Sequence, residues 1–444
     1  MAGPGARNAS TKRFHIVLIP GFAGFDALGQ LEYYGGLTPL FQMWRAENQV
    51  LHYFDNFPTA AVVTRASRLR SYLAKRMARG VISTGDDVTL IGHSTGGLDI
   101  RRLLCDLDDL RHRKQKIMVD GGVKVGPGEI LECVKRVVFL SVPHWGTNIA
   151  DWVHSYGVLR RALVEQFRAA VAGSQLLLLD QIESLITGGA ACLTGAELFR
   201  AAQDALGEAN EHNGKPSPAR TADAQEAASQ LALYLRHMAS DFSAIDDLTS
   251  RPHRAGKPVS PAHFGVRDRE KELKRMRGIE FRSYVTLGRR PFRFDPGRTA
   301  PPFELAKPWT YPEVTKDSAL SAGTDIAYRT FYRACAGGPF RQPALSCKVT
   351  ERLPGAPQHS IEVWDNDGIV NTLSMLWPKD ANVLVPGDHM DIVGQYKLIK
   401  AERGEGRKYR VYDLLKSESG FTDKIFKEVW KEIFAFCLGR TRPH

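Results

Sequence analysis

No stretch of the chain approaches the roughly 18–20 consecutive apolar residues that a membrane-spanning helix needs. The longest apolar burst, Leu176-Leu177-Leu178-Leu179, is far too short. The N-terminal residues contain no apolar h-region, so no secretory signal peptide is read there. The expectation is a cytoplasmic protein, or a secreted one if the chain as given has been trimmed. Cysteine is sparse, with six in 444 residues, and its spacing fits neither a zinc motif nor a disulfide scaffold. Most of these are expected to be buried thiols. Cys335 and Cys347 alone lie close enough in sequence, in a loop containing Gly and Pro, to make a candidate bridge. Runs of one charge sign are also missing. Lys and Arg outnumber Asp and Glu by 60 to 49, a net charge of +11 that invites a nucleic-acid reading. Yet Arg267-Asp268-Arg269-Glu270-Lys271-Glu272-Leu273-Lys274-Arg275 alternates in sign, which reads as a solvated helix face rather than a phosphate track. No nucleic-acid partner is expected, and the net charge leaves only a modest pull towards anionic lipid surfaces. A hydrophobic content of 43% with 25% charged residues excludes global disorder and leaves material for a sizeable core. The length suits two or three average domains, or one large α/β domain with an insertion.

What is present centres on residues 88–99. A short β-prone apolar run, Val88-Thr89-Leu90-Ile91, ends at Gly92, and Ser94 follows at the apex of Gly92-His93-Ser94-Thr95-Gly96. A helix-like run over 98–104 comes next. Strand, G-x-S-x-G and helix in that order form a nucleophile elbow, a sharp turn that lifts a serine hydroxyl out of a sheet. Small residues are needed two positions either side of the serine, because a Cβ there would strike the adjacent strand or helix. The turn also aims a helix N-terminus at any oxyanion formed beside the serine.

Around the elbow the chain alternates strands and helices. Residues 14–19 read as a buried strand running into Pro20-Gly21-Phe22-Ala23-Gly24-Phe25, a loop whose glycines permit close backbone approach. A helix-like segment at 37–44, a strand at 50–54 and an amphipathic helix over 60–77 precede the elbow strand. A further strand at 134–141 leads into a tight loop, where His144 stands. Such alternation is the signature of a doubly wound parallel sheet, which binds ligands at the carboxyl ends of its strands. From 152 to 249 the composition turns to Ala, Leu, Gln and Arg with helical spacing, a helical insertion that is either a cap or lid or an immobile packing subdomain. Residues 250–355 are rich in Pro, Gly and Arg at first, hold one strand candidate at 281–287, and read as an irregular excursion over the surface that returns to the core. The core pattern resumes over 356–440. A strand at 361–364 ends at Asp365-Asn366-Asp367-Gly368, a second at 382–386 leads to Gly387-Asp388-His389, and an amphipathic helix closes the chain. Its stripe of Phe421, Ile425, Val429, Ile433 and Phe436 reads as core rather than membrane-binding. Residues 10–151 and 356–440 are thus the two halves of one core.

Four segments carry a resemblance to a known family: Pro20-Gly21-Phe22-Ala23-Gly24, Gly92-His93-Ser94-Thr95-Gly96, the block from Asn366 to Met375, and Asp388-His389-Met390-Asp391. The chain resembles the bacterial true lipases of the α/β-hydrolase superfamily. Asn366-Asp367-Gly368-Ile369-Val370-Asn371 is nearest to the thermoalkalophilic branch. Pro143-His144-Trp145-Gly146-Thr147-Asn148-Ile149-Ala150-Asp151 looks like the stretch that leads these enzymes into their helical lid. The resemblance implies an α/β-hydrolase fold, a mostly parallel central sheet with helices on both faces and an inserted helical cap. It implies Ser94 as nucleophile, Asp367 rather than Asp365 as acid, His389 as base, and the backbone N–H groups of Phe22 and Thr95 as oxyanion hole. Triads in this fold run serine, acid, histidine along the chain, so His144 is read as a loop-packing residue. Pro20 departs from the histidine the family usually carries there, without touching the N–H that the hole uses. No cofactor is required by this chemistry. Family calcium sites would place ligands at Asp391 and the Gln395 carbonyl, although no upstream acid stands where one branch takes a second ligand. The zinc site of the thermoalkalophilic branch needs two histidines, and His52 alone stands there, so zinc is rejected.

The resulting expectation is a serine carboxylester hydrolase, a lipase or lipase-like esterase acting on acyl esters or lipids, with transient contact at a lipid interface. The alternatives are an acyltransferase using the same triad and an inactive α/β-hydrolase serving as a binding module.

Overall fold

The computed structural model describes residues 12–22, 24, 27–28, 31–46, 48–155, 237, 241, 243–250, 269–290, 328, 331–336, 347–358, 360–397, 413, 415 and 417–440. Its frame is a seven-stranded sheet in which every pairing is parallel. In chain order the strands are β1 (Phe14–Ile19), β2 (Gln49–Tyr53), β3 (Asp87–His93), β4 (Val134–Leu140), β5 (Glu280–Leu287), β6 (Val349–Arg352) and β7 (Asn382–Pro386). Across the sheet they lie in the order β6-β7-β5-β4-β3-β1-β2. The central strands are covered on both faces, which is why they read in the sequence as continuous apolar runs.

Alternation along each strand sends neighbours to opposite faces. Ile16 and Leu18 of β1 join a core with Ile91, Val138 and Leu140, covered by helices α1 (Leu37–Trp44) and α8 (Asp423–Cys437). Val17 and Ile19 join the opposite core with Leu90, Val137 and Phe139, covered by α2 (Val62–Ala78) and α3 (Thr95–His112). Among the described residues the other α-helical segments are α4 (Pro127–Cys133), α5 (Asn148–Ser155), α6 (Ala244–Asp247) and α7 (Arg269–Arg275). With the elbow on a central strand and helices on both faces, this is the α/β-hydrolase fold. In α8 the buried face holds Ile425, Val429 and Ile433 with Phe426, Trp430 and Phe434, so the apolar stripe is core, centred slightly away from Phe436.

The structure departs from the sequence reading at 250–355 and at 361–364, and it leaves the candidate cysteine bridge unformed. Residues 250–355 are not simply a surface excursion, because β5 lies in the middle of the sheet between β4 and β7, and β6 forms its edge. The strand read at 281–287 is present as β5, and its Ser283, Tyr284, Val285 and Thr286 are all buried, which puts it in the core and not on the surface. Residues 361–364 are not a strand: Asp365 N–H donates to the Glu362 carbonyl at 3.0 Å, and Asp365 Oδ2 accepts from Glu362 N–H at 2.9 Å, closing a turn. Cys335 and Cys347 are not bridged; both are free thiols. The Cys335 side chain is buried against Asn371 Oδ1 at 3.3 Å. Most of the expected insertion, residues 156–236, lies outside the described residues, as does Cys192. What is described is the stem. Thr147 N–H donates to the Leu248 carbonyl at 2.8 Å and Ser250 N–H donates to Asp151 Oδ1 at 2.9 Å, tying the start of α5 to the chain after α6. Among the described residues, no helix is long and apolar enough to cross a membrane.

Candidate active site

Ser94 stands between β3 and α3 with φ 51° and ψ −128°, outside the regions that non-glycine residues favour. The turn is held in place by its surroundings. Ser94 N–H donates to the Leu140 carbonyl at 2.9 Å, and Gly97 N–H donates to the Ser94 carbonyl at 3.1 Å. The flanking glycines are required sterically, as the motif implied. A Cβ on Gly92 would lie 2.5 Å from Gly97 N, and one on Gly96 would lie 2.4 Å from the Ile19 carbonyl oxygen. The Pro20-Gly21-Phe22 loop is pressed onto the elbow, since a Cβ on Gly21 would lie 2.6 Å from Ser94 Cβ. Thr95 is the first residue of α3, so its N–H has no intrahelical acceptor. Phe22, on the neighbouring loop, packs partly buried against both cores.

Asp367 and His389 come together. His389 Nδ1 is 2.7 Å from Asp367 Oδ2, and His389 N–H donates to the Asp367 carbonyl at 3.0 Å. The Asp367 carboxylate is fully buried, and each oxygen is satisfied twice. Oδ1 accepts from the N–H groups of Ile369 at 3.0 Å and Val370 at 2.8 Å. Oδ2 accepts from Thr286 Oγ1 at 2.6 Å as well as from His389. The Thr286 hydroxyl, having donated its proton to Asp367, accepts in turn from Ser141 Oγ at 2.8 Å. A carboxylate oxygen has room for about two hydrogen bonds, so this acid is locked in orientation and fixes the imidazole with Nε2 available. Among the described residues Ser94 Oγ makes no hydrogen bond, so the serine-to-imidazole link is open in this state. Such contacts are often long without substrate.

Several supports gave no sequence signal. Thr286 lies in β5 and Ser141 directly follows β4, both far from Asp367 in the chain. Asn371 accepts from Asn148 N–H at 3.0 Å, and Thr147 Oγ1 donates to the Ile369 carbonyl at 2.6 Å, fastening the acid loop to the stem of the insertion. Arg65 of α2 is fully buried and ion-paired with buried Asp99 of α3 at 2.9 Å. Its guanidinium also donates to the carbonyls of Pro20 at 2.9 Å, Gly21 at 3.2 Å, Phe57 at 3.1 Å and Pro58 at 3.0 Å. Burial pushes the Asp99 carboxyl up to about 6, against the pull of Arg65 and Asn56. The one available hint was an arginine within the apolar period of α2. His144 is fully buried beside Arg101, with its ring against Phe139 and Trp377, a packing role in the loop.

Calcium ligands were expected at Asp391 and the Gln395 carbonyl. Asp391 Oδ2 accepts from Asp388 N–H at 2.8 Å and from Ser419 Oγ at 2.7 Å, and the Gln395 amide donates to the carbonyls of Glu32 and Tyr33 at 2.7 and 3.2 Å. Asp388 accepts from Met390 N–H at 2.8 Å, Asp391 N–H at 3.1 Å and Ser417 Oγ at 2.5 Å. Protein donors already serve these acids, and no group of three or more His, Cys, Asp or Glu side chains able to hold a metal occurs among the described residues. Burial pushes Asp388 up to about 7 and raises Asp391 as well.

No protein-family model and no curated protein sequence matches the chain. Solved structures do. Lipase 1 from Pelosinus fermentans is 17% identical over 94% of this chain and 99% of its own, with a TM-score of 0.41. EstA from Clostridium botulinum is 16% identical over 92% of this chain and 87% of its own, with a TM-score of 0.39. A metagenomic carboxyl esterase, MGS0156, is 13% identical over 98% of this chain and 79% of its own, with a TM-score of 0.34.

Proposed function

We propose that the chain is a serine carboxylester hydrolase, a lipase or lipase-like esterase, with Ser94 as nucleophile, His389 as base and Asp367 as the orienting acid. The observation that carries this reading is the 2.7 Å contact between His389 Nδ1 and a fully satisfied Asp367 carboxylate, on loops beside the strained serine turn. His389 Nε2 takes the Ser94 proton as Oγ attacks the ester carbonyl. The backbone N–H groups of Phe22 and Thr95 hold the oxyanion. The C–O bond to the alcohol then breaks as the imidazolium returns its proton to the leaving oxygen, giving an acyl-serine that water hydrolyses by the same cycle. Asp367 holds the imidazole in one tautomer and balances its charge without itself becoming protonated. Each oxyanion donor contributes about 3 kcal/mol at the transition state.

Within this reading the substrates are acyl esters or lipids met at a transient lipid interface, and the 366–371 block supports a place near the thermoalkalophilic branch of the true lipases. Every step is assigned to groups of this chain, and no cofactor enters the scheme. The test is Ser94→Ala against p-nitrophenyl esters. Turnover should fall by a factor on the order of a million, the scale for loss of a triad nucleophile. Covalent labelling of the parent by a fluorophosphonate should vanish in the variant. Undiminished hydrolysis by Ser94→Ala would overturn the proposal.

A further inference from the structure

Beneath the catalytic groups runs a buried chain of hydrogen bonds that the mechanism above does not use. Gly21 N–H donates to Tyr33 Oη at 2.9 Å, Tyr33 Oη stands 2.5 Å from His93 Nδ1, and His93 Nε2 stands 2.8 Å from the His389 carbonyl oxygen. Its direction follows by elimination. A carbonyl only accepts, so His93 Nε2 carries a proton. His93 is fully buried, and burial together with the His389 ring beside it holds its pKa well below the ordinary value, so the ring is neutral and Nδ1 is bare. Nδ1 therefore accepts the single Tyr33 hydroxyl proton, while the Tyr33 oxygen accepts from Gly21. The relay runs one way, from oxyanion loop to tyrosine to elbow histidine to the backbone of the base.

We infer that Tyr33 and His93 are positioning residues, which set the oxyanion loop and the base in register with Ser94. The inference rests on the ester-hydrolase reading. His389 is held at both backbone ends, by Asp367 through its N–H at 3.0 Å and by His93 through its carbonyl. His93 immediately precedes Ser94, and its ring lies 4.6 Å from the His389 ring, centroid to centroid. Tyr33 grips Gly21, which abuts both Ser94 Cβ and the Tyr33 hydroxyl and precedes the Phe22 N–H. One file of polar atoms thus joins three elements that the chain keeps far apart. Filling the same space with apolar groups would leave those elements free to shift, and an error of about 1 Å in such a site costs on the order of a hundredfold in rate.

The test compares Tyr33→Phe, His93→Gln and His93→Asn with the parent and with Ser94→Ala on a short p-nitrophenyl ester. Thermal unfolding checks that each variant is folded. Tyr33→Phe removes one oxygen, and kcat should fall tenfold to a hundredfold with KM within about twofold. Gln places an amide N–H where His93 Nε2 stands and restores the donor to His389. Asn places its amide at the Nδ1 position and does not. His93→Gln should therefore keep at least about ten times the kcat of His93→Asn. If the site were merely filled space, the two amides would be equally impaired. Parent-like kcat in folded Tyr33→Phe, or equal kcat in the two His93 variants, overturns the inference. In either case an inactive Ser94→Ala leaves the esterase reading standing, whereas an active one removes that reading first.

Discussion

Replacing Arg65 by Met should destabilise the fold in a pH-dependent way and slow the reaction at the same time. Arg65 and Asp99 are both fully buried, and Arg65 Nε contacts both Asp99 oxygens, at 3.1 and 2.9 Å. Methionine keeps much of the volume but leaves the Asp99 carboxylate in the core with Asn56 Nδ2, at 3.0 Å, as its main donor. Breaking one side of a buried ion pair costs about 3–5 kcal/mol. The protein has a partial escape, because Asp99 can take up a proton. Its carboxyl is pushed up to about 6 with Arg65 in place and must rise further without it. A folded-state acid raised above its unfolded value stabilises at low pH and loses that stabilisation as pH climbs to the folded pKa, at about 1.4 kcal/mol per unit. Parent and variant therefore diverge above pH 6: the parent has already lost its share there, while the variant goes on losing stability. Thermal unfolding at pH 6 and pH 8.5 reads this directly. Turnover should fall as well, since the Pro20 and Gly21 carbonyls lose their anchor and the oxyanion loop drifts, with the loss of one donor, about a hundredfold to a thousandfold, as the ceiling. Adding Asp99→Asn should recover most of the stability but not the turnover, because the loop stays unanchored. Parent-like stability at both pH values, with unchanged kcat, would refute the reasoning.

Gly96→Ala should cost about 1–3 kcal/mol and most of the activity, because its Cβ would meet the Ile19 carbonyl oxygen at 2.4 Å. Gly128→Ala, whose Cβ would meet nothing nearer than Arg111 Cδ at 3.8 Å, should be close to neutral in the same thermal and kinetic assays. Asp388→Asn mimics the protonated acid that burial favours next to His389, the parent carboxyl being raised to about 7. The parent's advantage is present near pH 4–5 and is lost towards pH 7, so the variant should match it at pH 5 and exceed it at pH 8 by a few kcal/mol at most. Parallel unfolding curves for the two proteins across that range would contradict the raised carboxyl.

The parts readable in the chain were those where local pattern and burial agree. Strands β1, β3, β4 and β7 are buried on both faces and read as apolar runs. The elbow glycines were legible because a strand-turn-helix this tight excludes Cβ atoms from either flank. Strand β5 was legible at 281–287 but its place inside the sheet was not, because Ser283 and Thr286 are satisfied by Met375, Ser141 and Asp367 from distant parts of the chain, and a polar residue satisfied that way looks from its own neighbours like an exposed one. The reverse error occurred at 361–364, where apolar residues alternate as in a strand but the Asp365 carboxylate folds the backbone into a turn.

The sequence by itself determined which residues are the candidates for chemistry. The proposed serine, acid and histidine were read from short motifs and the family they resemble, and the glycines that allow one serine to stand at a strained turn from residue type and spacing. Only the tertiary structure decided which groups hold those residues in place. Thr286 on Asp367, Arg65 under the Pro20-Gly21-Phe22 loop, and Tyr33 and His93 between that loop and His389 are all hydrogen-bonding pairs from separate parts of the chain. Such pairs leave no periodic trace, because a buried donor requires only an acceptor within about 3 Å, and folding alone brings that acceptor there.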